Sequence, residues 1–115
     1  MFEFQNITLS DDGNRLSAKC RISADNPCFR GHFPTFSLLP GVSQVLMLAM
    51  LIEQQTTWSC IVVGGSGIKY LHPVLPGEEL LLQLQRDGAD KVVFSISSEA
   101  VEKTKGRLQV AGERP

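Results

Sequence analysis

His32 stands eight residues ahead of the pair Pro40-Gly41, with the uncharged segment Phe33-Pro34-Thr35-Phe36-Ser37-Leu38-Leu39 between them. Imidazole titrates close to neutral pH, so a histidine in a fixed loop can take a proton from a weakly acidic group. Gly31, Pro34 and Pro40 favour such a fixed, non-helical path. Pro40 also suits the first turn of a helix, where a missing N–H costs nothing. The residues after it then present free N–H groups at the positive end of the helix dipole. A carbonyl oxygen that gains negative charge can be held there. The spacing therefore predicts a base beside an oxyanion donor.

The elements that would position this pair can be read from hydrophobic periodicity. A helix is predicted from about Pro40 to Gln55, and its centre, Val45-Leu46-Met47-Leu48-Ala49-Met50-Leu51-Ile52, is apolar on every side. A surface helix would show a polar stripe, so this one is expected to be enclosed by sheet and by a partner chain. Ahead of the loop, residues 2–9 alternate with a phase slip at Gln5-Asn6, and Asp11-Asp12-Gly13-Asn14 supplies turn chemistry. Leu16, Ala18, Cys20 and Ile22 alternate with polar residues, which completes an opening hairpin. Beyond the helix, residues 56–71 suggest a long strand interrupted at Gly64-Gly65-Ser66-Gly67. We read that interruption as a bulge, since no Lys-Ser/Thr follows to make a phosphate loop. Leu80, Leu82 and Leu84, then Val92, Phe94 and Ile96, form two more alternating strands around Asp87-Gly88-Ala89-Asp90. A last strand is expected over residues 101–110, with Lys103-Thr104-Lys105-Gly106 as a turn. The sum is four to six antiparallel strands and one helix, an α+β architecture in a single domain of residues 1–115.

The loop and helix start resemble the 3-hydroxyacyl-[acyl-carrier-protein] dehydratases of fatty-acid synthesis, which have the hotdog fold, an antiparallel sheet wrapped around one central helix. The pattern of that family is Phe-x-Gly-His-Phe-Pro, five residues, then Pro-Gly-Val. It stands here as Phe29-Arg30-Gly31-His32-Phe33-Pro34 and Pro40-Gly41-Val42. A second family-like stretch runs from Gly67-Ile68-Lys69-Tyr70-Leu71-His72-Pro73-Val74 to Leu75-Pro76-Gly77-Glu78-Glu79-Leu80. The resemblance implies a 3-hydroxyacyl thioester substrate on acyl carrier protein or coenzyme A. It makes His32 the base that removes the C2 proton and the Gly41 N–H the oxyanion donor. Phe33, Val42, Gln44 and Leu46 are the implied substrate-binding residues.

The chain departs from that family at one position. A Glu or Asp, the acid that protonates the leaving hydroxyl, usually stands six residues after the Pro of Pro-Gly-Val, where this chain has Leu46. Gln44 can donate a hydrogen bond but not a proton, and Glu53 lies about 10 Å further along a helix. Pro40-Gly41-Val42-Ser43-Gln44 also resembles branches of the family that serve aryl-polyene or other specialised lipid pathways. Three readings follow. The chain is a dehydratase of altered or reduced activity, a non-catalytic acyl-binding or partner subunit completed by another hotdog chain, or an acyl thioesterase. Each implies a homodimer or larger assembly, homo- or hetero-oligomeric.

Composition narrows the remaining classes. Eleven basic and twelve acidic residues give a net charge of −1, which offers nothing to nucleic acid. Cys20, Cys28 and Cys60 form no Cys-x-x-Cys pair, so neither a disulfide framework nor a metal site is expected, and a cytoplasmic setting follows. They are read as packing residues, and His72, before Pro73, as structural. No resident cofactor is implied. The apolar run from Val45 to Ile52 would extend about 12 Å as a helix, too short for a bilayer core of about 30 Å.

Overall fold

The computed structural model describes residues 2–29, 38–54 and 57–112. Six strands form one antiparallel sheet: β1 Phe4–Leu9, β2 Arg15–Arg21, β3 Cys60–Tyr70, β4 Glu79–Arg86, β5 Lys91–Ser98 and β6 Val101–Gly112, in the lateral order β1-β2-β4-β5-β6-β3. The helix α1, Gly41–Gln54, lies between β2 and β3 in sequence. The β1–β2 register slips between Gln5 and Thr8, where Asn6 has a φ of 53°, so the phase slip in the sequence is a bulge.

Period-two alternation sorts the strands onto two faces. Leu16, Ala18 and Cys20 of β2, Leu80, Leu82 and Leu84 of β4, Val92, Phe94 and Ile96 of β5, and Leu108 and Val110 of β6 are buried in one core with α1. The helix contributes Met47, Leu48, Leu51 and Ile52, which recur at helical spacing. The opposite sheet face is polar. Thr8, Ser17, Gln83, Ser95, Lys105 and Lys69 are in lateral register across all six strands.

The glycine-rich stretch lies within β3 as one continuous strand, with register slips against β6 between Val62 and Gly64 and between Ser66 and Lys69. The bulge reading therefore holds. The expected turn at Lys103-Thr104-Lys105-Gly106 does not exist, because β6 runs straight through it. The chain reverses instead at Glu99 and Ala100, with φ of 50° and 65°. Gly106 serves close approach. A Cβ there would stand 2.8 Å from the Ile68 Cα on β3, so only glycine lets the two backbones meet.

The helix is not enclosed on all sides by its own sheet. Val42 is 79% exposed and Leu46 43%, while Val45, Ala49 and Met50 on the same side are half-buried. Strand β3 forms one edge of the sheet and adds exposed Val63 and Tyr70, with Leu71 just beyond it.

Candidate functional site

The first helical hydrogen bond runs from the Gln44 N–H to the Pro40 carbonyl at 3.1 Å. Pro40 is therefore the N-cap and Gly41 opens α1. The N–H groups of Gly41, Val42 and Ser43 have no acceptor within the helix, as helix geometry requires. This is the donor end that the sequence predicts.

Three contacts fix where that end points. The buried Leu39 donates its N–H to the Val74 carbonyl at 2.8 Å. Its own carbonyl accepts from Gln44 Nε2 at 3.1 Å. Thr104 Oγ1 then donates to Gln44 Oε1 at 2.6 Å. Gln44 is thus tied to both the approach to the helix and to β6, and it is 4% exposed. The segment behind it is anchored in turn. Lys103 Nζ reaches the Pro73 carbonyl at 3.1 Å and Glu78 at 3.0 Å, and Leu71 and His72 donate their N–H groups to the Lys103 carbonyl.

The second motif stretch is therefore the wall against which the first is set. Val74 holds Leu39, and the Tyr70 ring lies directly on Gly41. A Cβ built at Gly41 would come within 2.6 Å of the Tyr70 Cζ and Oη. The absence of a Cβ at Gly41 is what lets the ring approach this closely, and its backbone angle plays no part.

Among the residues singled out in the sequence, the structure brings together Gly41 and Gln44, with Val42 and Leu46 exposed on the adjoining helix face. His32 and Phe33 lie outside the described residues. His72 faces the Glu102 carbonyl through Nδ1 at 3.1 Å, in keeping with a structural role. Two contributors were missed. Tyr70 stood inside the second motif but was not singled out, and Thr104 was assigned to a turn. The alternation of Thr104, Leu108 and Val110 with Lys105, Arg107 and Gln109 is the signal that would have placed Thr104 on the inner face of a strand.

The cysteines pack. Burial pushes the Cys20 thiol up to about 11, and it also raises Cys60 against the opposing pull of the Arg86 guanidinium, whose Nη1 is 3.2 Å from the sulfur. Both shifts disfavour the nucleophilic thiolate. No cluster of three or more metal-binding side chains occurs among the described residues. No described helix is long and apolar enough to cross a membrane. A trough of about 860 Å³ lies over the polar sheet face, lined by Arg15, Lys69, Gln83, Ser95 and Arg107, away from the Gly41 end of the helix.

A six-stranded antiparallel sheet packed on a single central helix, with a Pro-Gly-Val helix start, defines a hotdog-fold protein of the dehydratase class. The chain belongs to the ApeI-like family, described as ApeI dehydratase, which it matches over residues 8–107. It is 26% identical over 97 residues to the 3-hydroxyacyl-[acyl-carrier-protein] dehydratase FabZ of Hydrogenobaculum sp., covering 76% of this chain and 66% of that protein. The FabZ of Geobacter metallireducens is 26% identical over 106 residues, covering 84% and 71%. The chain thus spans about two thirds of the length of these relatives. Among solved structures, the dehydratase heterocomplex ApeI:P from Xenorhabdus doucetiae has a chain that superposes with a TM-score of 0.83 at 20% identity, over 96% of this chain and 98% of its own. A mutant of the thioesterase PA1618 from Pseudomonas aeruginosa superposes with a TM-score of 0.62 at 18% identity, over 96% and 79%.

Proposed function

We propose that this chain dehydrates 3-hydroxyacyl thioesters presented by acyl carrier protein or coenzyme A, in fatty-acid or related lipid or polyene synthesis. The observation that carries the reading is Gly41 at the first position of α1, with free N–H groups beside a fixed wall, in a chain of the ApeI-like family. His32 removes the C2 proton, and the electron pair moves toward the thioester oxygen, which the Gly41 N–H stabilises. The C3–oxygen bond then breaks. Leu46 has no proton to give, so the imidazolium of His32 returns the C2 proton to the departing hydroxyl, which leaves as water. Phe33, Val42 and Leu46 line the acyl path. Gln44, whose side chain is engaged by Leu39 and Thr104, supports the site by holding the helix start.

A second reading is favoured by Leu46, which is 43% exposed on an apolar helix face that the chain itself does not cover. Here the chain is a subunit whose acid comes from a partner hotdog chain seated on α1 and the β3 edge. The dehydratase heterocomplex among its structural neighbours is consistent with such pairing.

One experiment separates these readings. The pure protein is incubated with 3-hydroxyacyl- and 2-enoyl-carrier-protein and coenzyme A thioesters, and products are followed by mass spectrometry beside His32→Ala and Leu46→Glu. Dehydration or hydration by the wild type, abolished in His32→Ala, supports the first reading. An inactive wild type with turnover appearing in Leu46→Glu transfers support to the partner subunit. Release of free acid in place of enoyl product identifies a thioesterase and overturns both.

A further inference from the structure

We propose that the Tyr70 hydroxyl is a second donor to the thioester oxygen, working beside the Gly41 N–H; this rests on the dehydratase reading above. In a helix each Cα–Cβ bond tilts toward the N-terminus, the direction in which the unpaired N–H groups also point. Tyr70 Oη lies 2.6 Å from where a Gly41 Cβ would be, so it stands against the first residue of the helix. Hydroxyl and N–H groups therefore border the same space.

Three further features fit a donor better than a packing ring. Tyr70 is 54% exposed, so a ligand can reach its hydroxyl. Among the described residues that hydroxyl has no hydrogen-bond partner, so its proton is available to a ligand. The backbone that carries it is also anchored relative to the helix. Tyr70 is the register partner of Thr104, and Thr104 is bonded to Gln44 in the first turn of α1. The strand that carries the phenol is thus paired with the strand that is bonded to the helix three residues beyond Gly41.

Tyr70 transfers no proton in this scheme. As the C2–H bond breaks toward His32, negative charge grows on the thioester oxygen, and two donors share it where one would otherwise act. Loss of one oxyanion donor typically lowers kcat by about 10²–10³-fold. The donor acts on enolate formation, so the same factor applies to exchange of the C2 proton with solvent.

The test is Tyr70→Phe, which keeps the ring on Gly41 and removes only the hydroxyl. With 3-hydroxybutyryl-pantetheine labelled at the thioester carbonyl, three quantities are compared: kcat against KM, C2 proton exchange in deuterated water, and the infrared carbonyl stretch of the bound thioester. The expected result is a kcat and an exchange rate lowered together by about 10²–10³-fold, a KM within a few-fold, and a carbonyl stretch raised toward its value in water. His32→Ala should abolish exchange yet leave the bound carbonyl stretch low. A Tyr70→Phe protein with wild-type exchange and an unchanged stretch overturns the inference and leaves the dehydratase reading standing. Bound thioester with neither exchange nor turnover in the wild type overturns the dehydratase reading, while a stretch that still moves in Tyr70→Phe supports the contact. A wild type that binds no thioester overturns both.

Discussion

Thr104 Oγ1 donates to Gln44 Oε1 at 2.6 Å across 60 residues of sequence, and both side chains are buried, at 1% and 4% exposure. This hydrogen bond joins the first turn of the helix to β6, and through the Gln44 amide nitrogen it also holds the Leu39 carbonyl. Removing the donor leaves a buried amide oxygen without a partner, which costs about 1–3 kcal/mol. Thr104→Val, nearly the same shape, should lose that amount in urea denaturation. Thr104→Ser keeps the donor and should lose about 1 kcal/mol for the missing methyl. In a Gln44→Leu background, where no oxygen remains to be orphaned, Thr104→Val should cost less than half its wild-type effect. An equal cost in the two backgrounds would show that the bond contributes nothing of its own.

Gly106 makes a second long-range fit visible. A methyl at this position would meet the Ile68 Cα at 2.8 Å, a backbone atom that cannot rotate away. One of the two strands must shift, and overpacking of this kind costs about 1–3 kcal/mol. Gly106→Ala should lower the urea midpoint accordingly. Gly112→Ala, near the end of the same strand with nothing within 4 Å of the added carbon, should stay within about 0.5 kcal/mol of wild type.

These two contacts also explain what the sequence could and could not reveal. Local patterns were sufficient for β2, β4, β5 and α1, because Leu16-Ala18-Cys20, Leu80-Leu82-Leu84 and Val92-Phe94-Ile96 carry their period within a few residues. The donor end at Gly41 was equally local, since Pro40 and the apolar run after it announce the start of a helix. Gly106 misled because glycine has two uses, turn and close approach, and only the neighbouring strand decides between them. The partners of Thr104 and Tyr70 were illegible for a related reason. Each matters through a residue on another element, Gln44 and Gly41, and register between distant segments is not written in either segment alone.

Glu78 gives the wall behind the site a pH dependence. Partial burial raises its pKa, but the Leu75 N–H at 2.7 Å and the Lys103 ammonium at 3.0 Å outweigh this, leaving the carboxyl below its usual range. An unfolded chain takes up the same proton at about pH 4.3. Above that value both states are ionised and the stabilisation is fully present. As pH falls, the unfolded state is protonated first, so stability drops until the folded carboxyl is protonated too. Glu78→Gln should therefore be less stable than wild type at pH 7, and the gap should narrow as pH falls below about 4.3. Urea midpoints at pH 7, 5 and 3 measure it. A gap that stays constant would mean that the charge on Glu78 is immaterial to stability.

Gly41→Ala tests the contact at the centre of the site. The atoms it would meet are the tip of the Tyr70 ring, which is half exposed and can swing aside, unlike the backbone that opposes Gly106. Alanine also favours the helix over glycine by up to about 1 kcal/mol. Stability should consequently change by less than about 1 kcal/mol in either direction. Turnover of 3-hydroxyacyl thioesters should fall, because a displacement of the reacting groups by about 1 Å can cost 10²-fold. The physical question is whether that loss comes from the displaced phenol or from the methyl itself. If the phenol carries it, Tyr70→Phe added to Gly41→Ala lowers kcat no further, since the hydroxyl has already left its place. If the methyl obstructs the thioester oxygen independently, the two losses multiply, and the role assigned to Tyr70 must stand on its own exchange and carbonyl measurements.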